Sequence, residues 1–163
     1  MSKKNNSKEI GNTFERKIAK ELSIWIFNDP HVLKKEPTSG AVKTVYWGDI
    51  FPMKQIEWDH FPFLIECKYG YEDFTPTLLN YRLIEEWYKK AYKESLESKV
   101  QEIILLIRNF KGRNGVLLCT NKILSNIIYK SIICINNDNK YELVYCYNYK
   151  DMLKYKFEDV FCG

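Results

Sequence analysis

The sequence lacks any apolar run long enough to cross a membrane. Its lysine-rich start, residues 1–8, is not followed by the apolar segment of a secretory signal peptide. The five cysteines include no Cys-x-x-Cys pair, which argues against structural zinc and favours reduced, mostly buried thiols. We therefore expect a cytoplasmic protein with no membrane partner.

Internal repeats and signs of a second domain are also absent from the 163 residues. Apolar residues make up 45% of the chain and aromatic residues 15%, which excludes a disordered protein and suffices for a substantial core. We predict one folded domain over residues 9–163, preceded by a basic, flexible segment over residues 1–8.

Positive charge is concentrated at the start of the chain. The net charge is +4, and the first 20 residues account for all of it, because they hold two acidic residues and six basic ones. The basic residues are Lys3, Lys4, Lys8, Arg16, Lys17 and Lys20. This pattern predicts contact with a polyanion, and a solvated tail that aids solubility is the alternative.

The apolar run Phe63-Leu64-Ile65 leads directly into Glu66-Cys67-Lys68. Read as a strand, it places Leu64, Glu66 and Lys68 on one face of a sheet and the intervening residues on the other. A lone acid, Asp49, lies within a second apolar run upstream. Carboxylates bind hard divalent cations through oxygen, and a neighbouring lysine can orient water or stabilise charge on a phosphate. The alternative for Glu66 and Lys68 is a salt bridge on an edge strand.

An acid two residues before a lysine is not informative by spacing alone. A helix separates two such residues by about 200°, so the pair diverges there. The spacing occurs four times, and the second occurrence alone follows an apolar run of strand length: Glu15-Arg16-Lys17, Glu66-Cys67-Lys68, Glu97-Ser98-Lys99 and Asp138-Asn139-Lys140. The second is therefore the one that we assign to a site.

Apolar spacing and turn residues predict an α/β protein. A helix is expected from a cap at Asn6 to Phe27, with Glu15 at the edge of its buried stripe, where it either turns toward a site or stays on the surface. A flexible loop follows over residues 34–41. The further predicted elements are strands at 44–51 and 63–68, a helix at 78–97, strands at 102–107 and 116–120, a short helix at 122–129 capped by Asn121, strands at 131–135 and 141–149, and a helical C-terminal piece.

Together these residues resemble the PD-(D/E)xK nuclease superfamily, and within it the small Holliday junction resolvases of archaea and phages. The resemblance covers about residues 10–120. Its matching segments are 11–16 at the first helix, Ser39-Gly40-Ala41 in the loop, Gly48-Asp49-Ile50, and the segment 63–68. It implies a restriction-endonuclease-like fold, in which helices flank a mixed central β-sheet in a single domain.

The resemblance also implies roles for individual residues. Asp49, Glu66 and the backbone carbonyl of Cys67 would hold Mg²⁺, or alternatively Mn²⁺, and Glu15 would complete the metal site. Lys68 would assist the attacking water. Ser39 would have a catalytic or positioning role, with Thr38 as its substitute should the register differ by one.

The function implied is a magnesium-dependent endonuclease that cuts four-way junctions of branched double-stranded DNA as a homodimer. The basic residues of the first 20 positions would contact the DNA, and a phage-encoded protein would act in the host-cell cytoplasm. Another nuclease of the superfamily, of repair or restriction type, is one alternative. A non-catalytic nucleic-acid-binding protein is the other.

Overall fold

The residues described by the computed structural model form a seven-stranded mixed sheet with helices on both faces. These residues are 3–35, 47–53, 61–70, 81–98, 100–109, 115–138 and 140–161. In chain order the elements are α1 (Lys3–Phe27), β1 (Leu33–Lys35), β2 (Ile50–Pro52), β3 (Phe63–Tyr69), α2 (Tyr81–Ser98), β4 (Ile103–Asn109), β5 (Val116–Thr120), β6 (Ser131–Asn137), β7 (Lys140–Asn148), α3 (Tyr149–Met152) and α4 (Phe157–Phe161).

The strands are arranged in the order β1-β2-β3-β4-β5-β7-β6. β3 and β4 are parallel over their whole length, with Phe63 opposite Ile103 and Tyr69 opposite Asn109. The other neighbouring strands are antiparallel. Parallel neighbours need a crossover connection, and α2 lies within the one that joins β3 to β4. The sheet is therefore mixed and carries one helix-containing crossover beside its central strand.

Two apolar cores cover the two faces of the sheet. On one face, α1 packs Phe14, Ile18 and Leu22 with the residues of α3 and α4. On the other face, α2 packs Ile84, Tyr88 and Ala91. The alternation of β3 decides which of its side chains enters which core, because successive residues of a strand point to opposite faces. Phe63, Ile65 and Cys67 belong to the α1 face and Leu64 to the α2 face, as the alternation in the sequence predicted.

Local residue chemistry accounts for two of the boundaries. α1 ends where Asn28 adopts a left-handed backbone with φ 54°, and its N–H donates to the Ile24 carbonyl. Asp138, with φ 46°, lies in the short turn between β6 and β7, where Asn137 pairs with Lys140. A two-residue hairpin turn favours such left-handed residues.

The predicted fold class is confirmed, and four local predictions differ from the structure. α1 begins at Lys3, so Asn6 lies inside the helix. Lys34 and Lys35, expected in a loop, belong to β1, which pairs with β2. In the described part of the predicted strand 44–51, regular pairing begins at Ile50.

The fourth difference is the predicted helix over residues 122–129, which is wrong. Asn121 accepts a hydrogen bond from Ile104 N–H and donates to the Glu102 carbonyl, so its side chain is not available as a cap. The N–H of Leu124 donates to the Tyr147 hydroxyl, and that of Ser125 donates to the Val160 carbonyl. Tertiary partners thus replace the bonds that a helix would have supplied.

The helices of the described ranges are all too short or too polar to cross a membrane. The predicted site residues Thr38 and Ser39 lie outside those ranges.

Candidate active site

The segment 47–50 meets β3 at the position of Glu66-Cys67-Lys68. Ile50 pairs with Ile65, and the N–H of Asp49 donates to the Ile65 carbonyl at 2.8 Å. The Asp49 carboxylate then accepts a hydrogen bond from Cys67 N–H at 2.7 Å. The side chain of Asp49 therefore lies against the backbone between Glu66 and Lys68.

Gly48 makes this close approach possible. Its φ is +95°, and a Cβ atom there would lie 2.6 Å from the Ile65 carbonyl oxygen. Real Cβ atoms do not come so close to backbone, and L side chains rarely adopt such a φ. A glycine before Asp49 is thus required by both the backbone angle and the contact with β3.

Gln101, two residues before β4, holds the same segment in place. Its fully buried side chain accepts a hydrogen bond from Trp47 N–H at 2.6 Å and donates to the carbonyls of Trp47 and Phe63 at 2.9 and 2.8 Å. One amide therefore joins the segment before Asp49 to the beginning of β3. Its partners are 54 and 38 residues away in the chain, so no local sequence signal could have identified it.

Glu66 lies nearly buried on the α2 face of β3, with its carboxylate surrounded by positive charge. Lys68 Nζ contacts Glu66 Oε1 at 2.5 Å, as their shared strand face predicted. Lys90 Nζ, from α2, lies 3.7 Å from the same oxygen and 3.4 Å from Glu94 Oε1. The Glu66 carboxylate raises the pKa of Lys90, which keeps that ammonium charged.

Burial raises the pKa of Asp49 to about 7, and the nearby Glu66 and Glu15 carboxylates contribute to the rise. The hydrogen bond from Cys67 and the charge of Lys68 act in the opposite direction. Three carboxylates thus influence one another electrostatically around the end of segment 47–50. This is the repulsion that a bound cation would relieve.

Glu15 lies half-buried on α1, and its carboxylate pairs with Lys35 Nζ of β1 at 2.9 Å. The structure therefore places Glu15 away from the exposed surface that was its alternative position. The close partner of Glu15 is thus the Lys35 ammonium and not a second carboxylate. Its role as a third metal ligand stays a prediction.

The donor set fits a hard divalent cation held by Asp49 and Glu66. In the described ranges, no group of three His, Cys, Asp or Glu side chains is close enough to hold a metal by itself. Mg²⁺ commonly uses one or two carboxylates and leaves its other positions to water and substrate phosphate. Burial raises the pKa of the Cys67 thiol well above its ordinary value, so its sulfur stays protonated and is a poor ligand.

Among the predicted DNA contacts, Lys8, Arg16, Lys17 and Lys20 are exposed on α1. Lys17 also pairs with Glu21 at 3.8 Å. The backbone of Lys3 and Lys4 belongs to α1, and their side chains lie outside the described part of the structure.

Comparison with known proteins gives one family match. The family described as "Phage putative PDDEXK endonuclease" matches residues 6–161. The match extends over β6 and β7 and the C-terminal helices, beyond the 10–120 range that the motifs covered. No curated protein and no solved structure shows a significant match.

Proposed function

Because the chain belongs to this family of phage PDDEXK endonucleases, we propose that it is a magnesium-dependent enzyme that cuts four-way DNA junctions as a homodimer. The observation that carries the proposal is the hydrogen bond from Cys67 N–H to the Asp49 carboxylate. It holds an aspartate against the Glu-x-Lys segment of β3, which supports the proposal because a phosphodiesterase site would need acidic and basic groups close together.

In the proposed reaction, Asp49 and Glu66 would hold the metal ion. When bound, Mg²⁺ would supply positive charge for the phosphate oxygens and lower the pKa of a water molecule. Lys68 donates hydrogen bonds from Nζ, which orients the attacking water or stabilises the charge that develops on phosphate. Hydrolysis forms a bond between the water oxygen and phosphorus and breaks the bond from phosphorus to the leaving sugar oxygen.

Symmetry connects the proposed junction substrate with the proposed homodimer. Two symmetric nicks in a two-fold junction require two sites related by a two-fold axis, which a dimer of a one-site subunit supplies. The chain of 163 residues carries no recognisable base-reading module, which argues against sequence-specific restriction. Phosphate contacts would then give affinity without base selectivity.

The direct test uses a labelled four-way junction and a linear duplex of the same arm sequence, each with and without Mg²⁺. We expect paired nicks in the junction that require the metal, and much slower cutting of the duplex. Equal cutting of both DNAs would indicate a general nuclease of the superfamily instead. Binding of both without any cutting would indicate the non-catalytic alternative.

The homodimer is tested separately by sedimentation of the protein alone and bound to the junction. We expect two chains per junction. A single chain per junction at saturation would contradict the dimer while leaving the nuclease activity intact.

A further inference from the structure

We propose that Lys90 of α2 is a second catalytic lysine, which contacts the phosphate that is cleaved. The inference rests on the proposed nuclease function and adds a residue from a different element of the fold. Its basis is the position of the Lys90 ammonium beside the Glu66 carboxylate, on the solvent side of that group.

The exposed fraction of the side chain increases from Glu66 on the strand, through Lys68, to Lys90 at the surface. Glu66 is 4% exposed, Lys68 18% and Lys90 63%, and both ammonium groups contact the same oxygen, Glu66 Oε1. DNA approaches from solvent, so a phosphate directed toward Glu66 and Lys68 would meet Lys90 first. An exposed lysine also contributes little to stability, which leaves it available to exchange its partner.

Packing of α2 fixes where Lys90 lies. Ala91, the next residue, is buried against the sheet, and Lys90 itself is exposed, about 100° further round the helix. Glu94, one turn later, contacts the same ammonium at 3.4 Å. The helix therefore presents Lys90 directly at the rim of the candidate site.

Arg82 and Lys89 of α2 and Arg108 of β4 are positioned differently from Lys90. Arg82 and Lys89 pair with Glu86 and Glu85 along α2 itself. Arg108, opposite Lys68 on β4, is 1% exposed, and its guanidinium lies 5.0 Å from the centre of the Trp87 ring. This enclosure keeps Arg108 from DNA, whereas Lys90 faces the approach.

A cation at Glu66 would compete with the two ammonium groups for its carboxylate, and Lys90, at 3.7 Å and largely exposed, is the more weakly held of the two. Lys90 then exchanges the carboxylate for the nearest incoming anion, which is the phosphate of the DNA. At the phosphate, the Lys90 ammonium donates a hydrogen bond to a non-bridging oxygen as negative charge develops on that oxygen. Lys68 stays beside the attacking water. The two lysines therefore have separate roles.

The first test compares Lys90→Ala with Lys89→Ala, a neighbour of the same charge that also pairs with a glutamate on α2. Cutting is measured in single turnovers at saturating DNA and saturating Mg²⁺. We expect Lys90→Ala to slow the reaction about 100-fold, Lys89→Ala to leave it unchanged, and Lys90→Arg to recover most of the rate. The melting temperature of all three variants should match that of the wild type.

A rate for Lys90→Ala equal to that for Lys89→Ala would overturn the inference, and so would a slower rate that more DNA or more Mg²⁺ restores. A wild-type protein that cuts no DNA would instead remove the proposed function itself, so the two failures are distinguishable.

The second test does not depend on activity. Glu66→Gln neutralises the carboxylate beside Lys90, and its DNA affinity is measured without metal over a series of salt concentrations. Adding Lys90→Ala to this variant should reduce the slope of log affinity against log salt by about one unit, whereas adding Lys89→Ala should not. Equal slopes for the two double variants would show that Lys90 makes no phosphate contact.

Discussion

At the scale of single residues, the Asp49 and Glu66 carboxylates are the two groups that would bind the metal ion. Asp49→Asn and Glu66→Gln keep the shape of each side chain and remove the charge that would bind metal. We expect either substitution to abolish cutting while folding and junction binding are retained. The check is cleavage of a labelled junction beside a binding titration in Ca²⁺. Turnover near the wild-type rate in either variant would remove that residue from the site.

The raised pKa of Asp49 predicts a pH-dependent response to metal. With a folded pKa of about 7 and an ordinary value of 3.8, this group favours the protonated folded state. Its contribution to the free energy of unfolding of the metal-free protein therefore falls as pH rises from about 4 to about 7. Mg²⁺ binds the ionised carboxylate, so it must displace a proton below pH 7 and need not do so above it.

We therefore expect Mg²⁺ to raise the melting temperature more at about pH 8 than at about pH 6. Thermal unfolding with and without Mg²⁺ at the two pH values measures this difference. Asp49→Asn should remove most of it. A pH-independent shift in the wild type would contradict the assignment of Asp49 as a metal ligand with a raised pKa.

The site could be predicted from sequence only where its groups are close along the chain. Glu66 and Lys68 share a strand face because they are two residues apart, and the structure confirms their contact. Lys90, Lys35 and Gln101 reach the site from other elements, through contacts over 20 residues or more. Spacing holds no information on such contacts, because they depend on how the sheet and helices assemble.

At the scale of elements, the junction between segment 47–50 and β3 depends on Gly48. Gly48→Ala should destabilise the protein by about 1–3 kcal/mol, because the backbone angle is strained and the new Cβ meets the Ile65 carbonyl. It should also reduce cutting, since Asp49 follows directly. Denaturant unfolding and junction cleavage measure the two effects.

Two other glycines serve as controls for this substitution. Gly115→Ala places a Cβ in open space at φ +71°, so it should show the cost of the angle alone, with cutting retained. Gly11→Ala, inside α1 with no atom near, should stabilise the protein by about 0.5–1 kcal/mol. Equal effects of Gly48→Ala and Gly115→Ala would show that the contact with β3 is unimportant.

Gln101 connects the same elements through three hydrogen bonds. Gln101→Leu keeps a similar volume and leaves the N–H and carbonyl of Trp47 and the carbonyl of Phe63 without this partner. We expect the free energy of unfolding to fall by about 2–4 kcal/mol. Mg²⁺ should also raise the melting temperature of this variant less than that of the wild type, because the segment that holds Asp49 is less firmly fixed. An unchanged unfolding midpoint would contradict this role.

The elements themselves were predictable where a periodic apolar pattern is long. β3 and α1 follow this rule, and so do β5, β7 and much of α2. β1 has only three residues, of which two are lysines, so its pairing with β2 was invisible locally. The segment after Asn121 has apolar residues at plausible helical spacing, but tertiary hydrogen bonds decide its conformation.

At the scale of the whole molecule, the charge excess of the chain lies along α1. The first 20 residues, with six basic and two acidic residues, account for the net charge of +4, and the basic residues whose side chains are described are exposed on α1. Before a metal is bound, the Asp49, Glu66 and Glu15 carboxylates of the candidate site would repel phosphate. A basic helix on the α1 face would offset this repulsion by attracting the phosphates of the junction arms.

We therefore expect the triple substitution Lys3→Gln, Lys4→Gln and Lys8→Gln to weaken junction binding about equally for any arm sequence, because phosphate contacts carry no base information. The slope of log affinity against log salt should fall by about one unit for each phosphate that these lysines no longer neutralise. Titrations over a salt series measure this, and glutamine keeps good helix propensity so that α1 is preserved. The control is a second triple variant, in which glutamine replaces Lys130, Lys150 and Lys156. It removes the same amount of charge at exposed positions outside α1. If both triple variants gave the same affinity and slope, the start of α1 would be a solvated segment without contact to DNA.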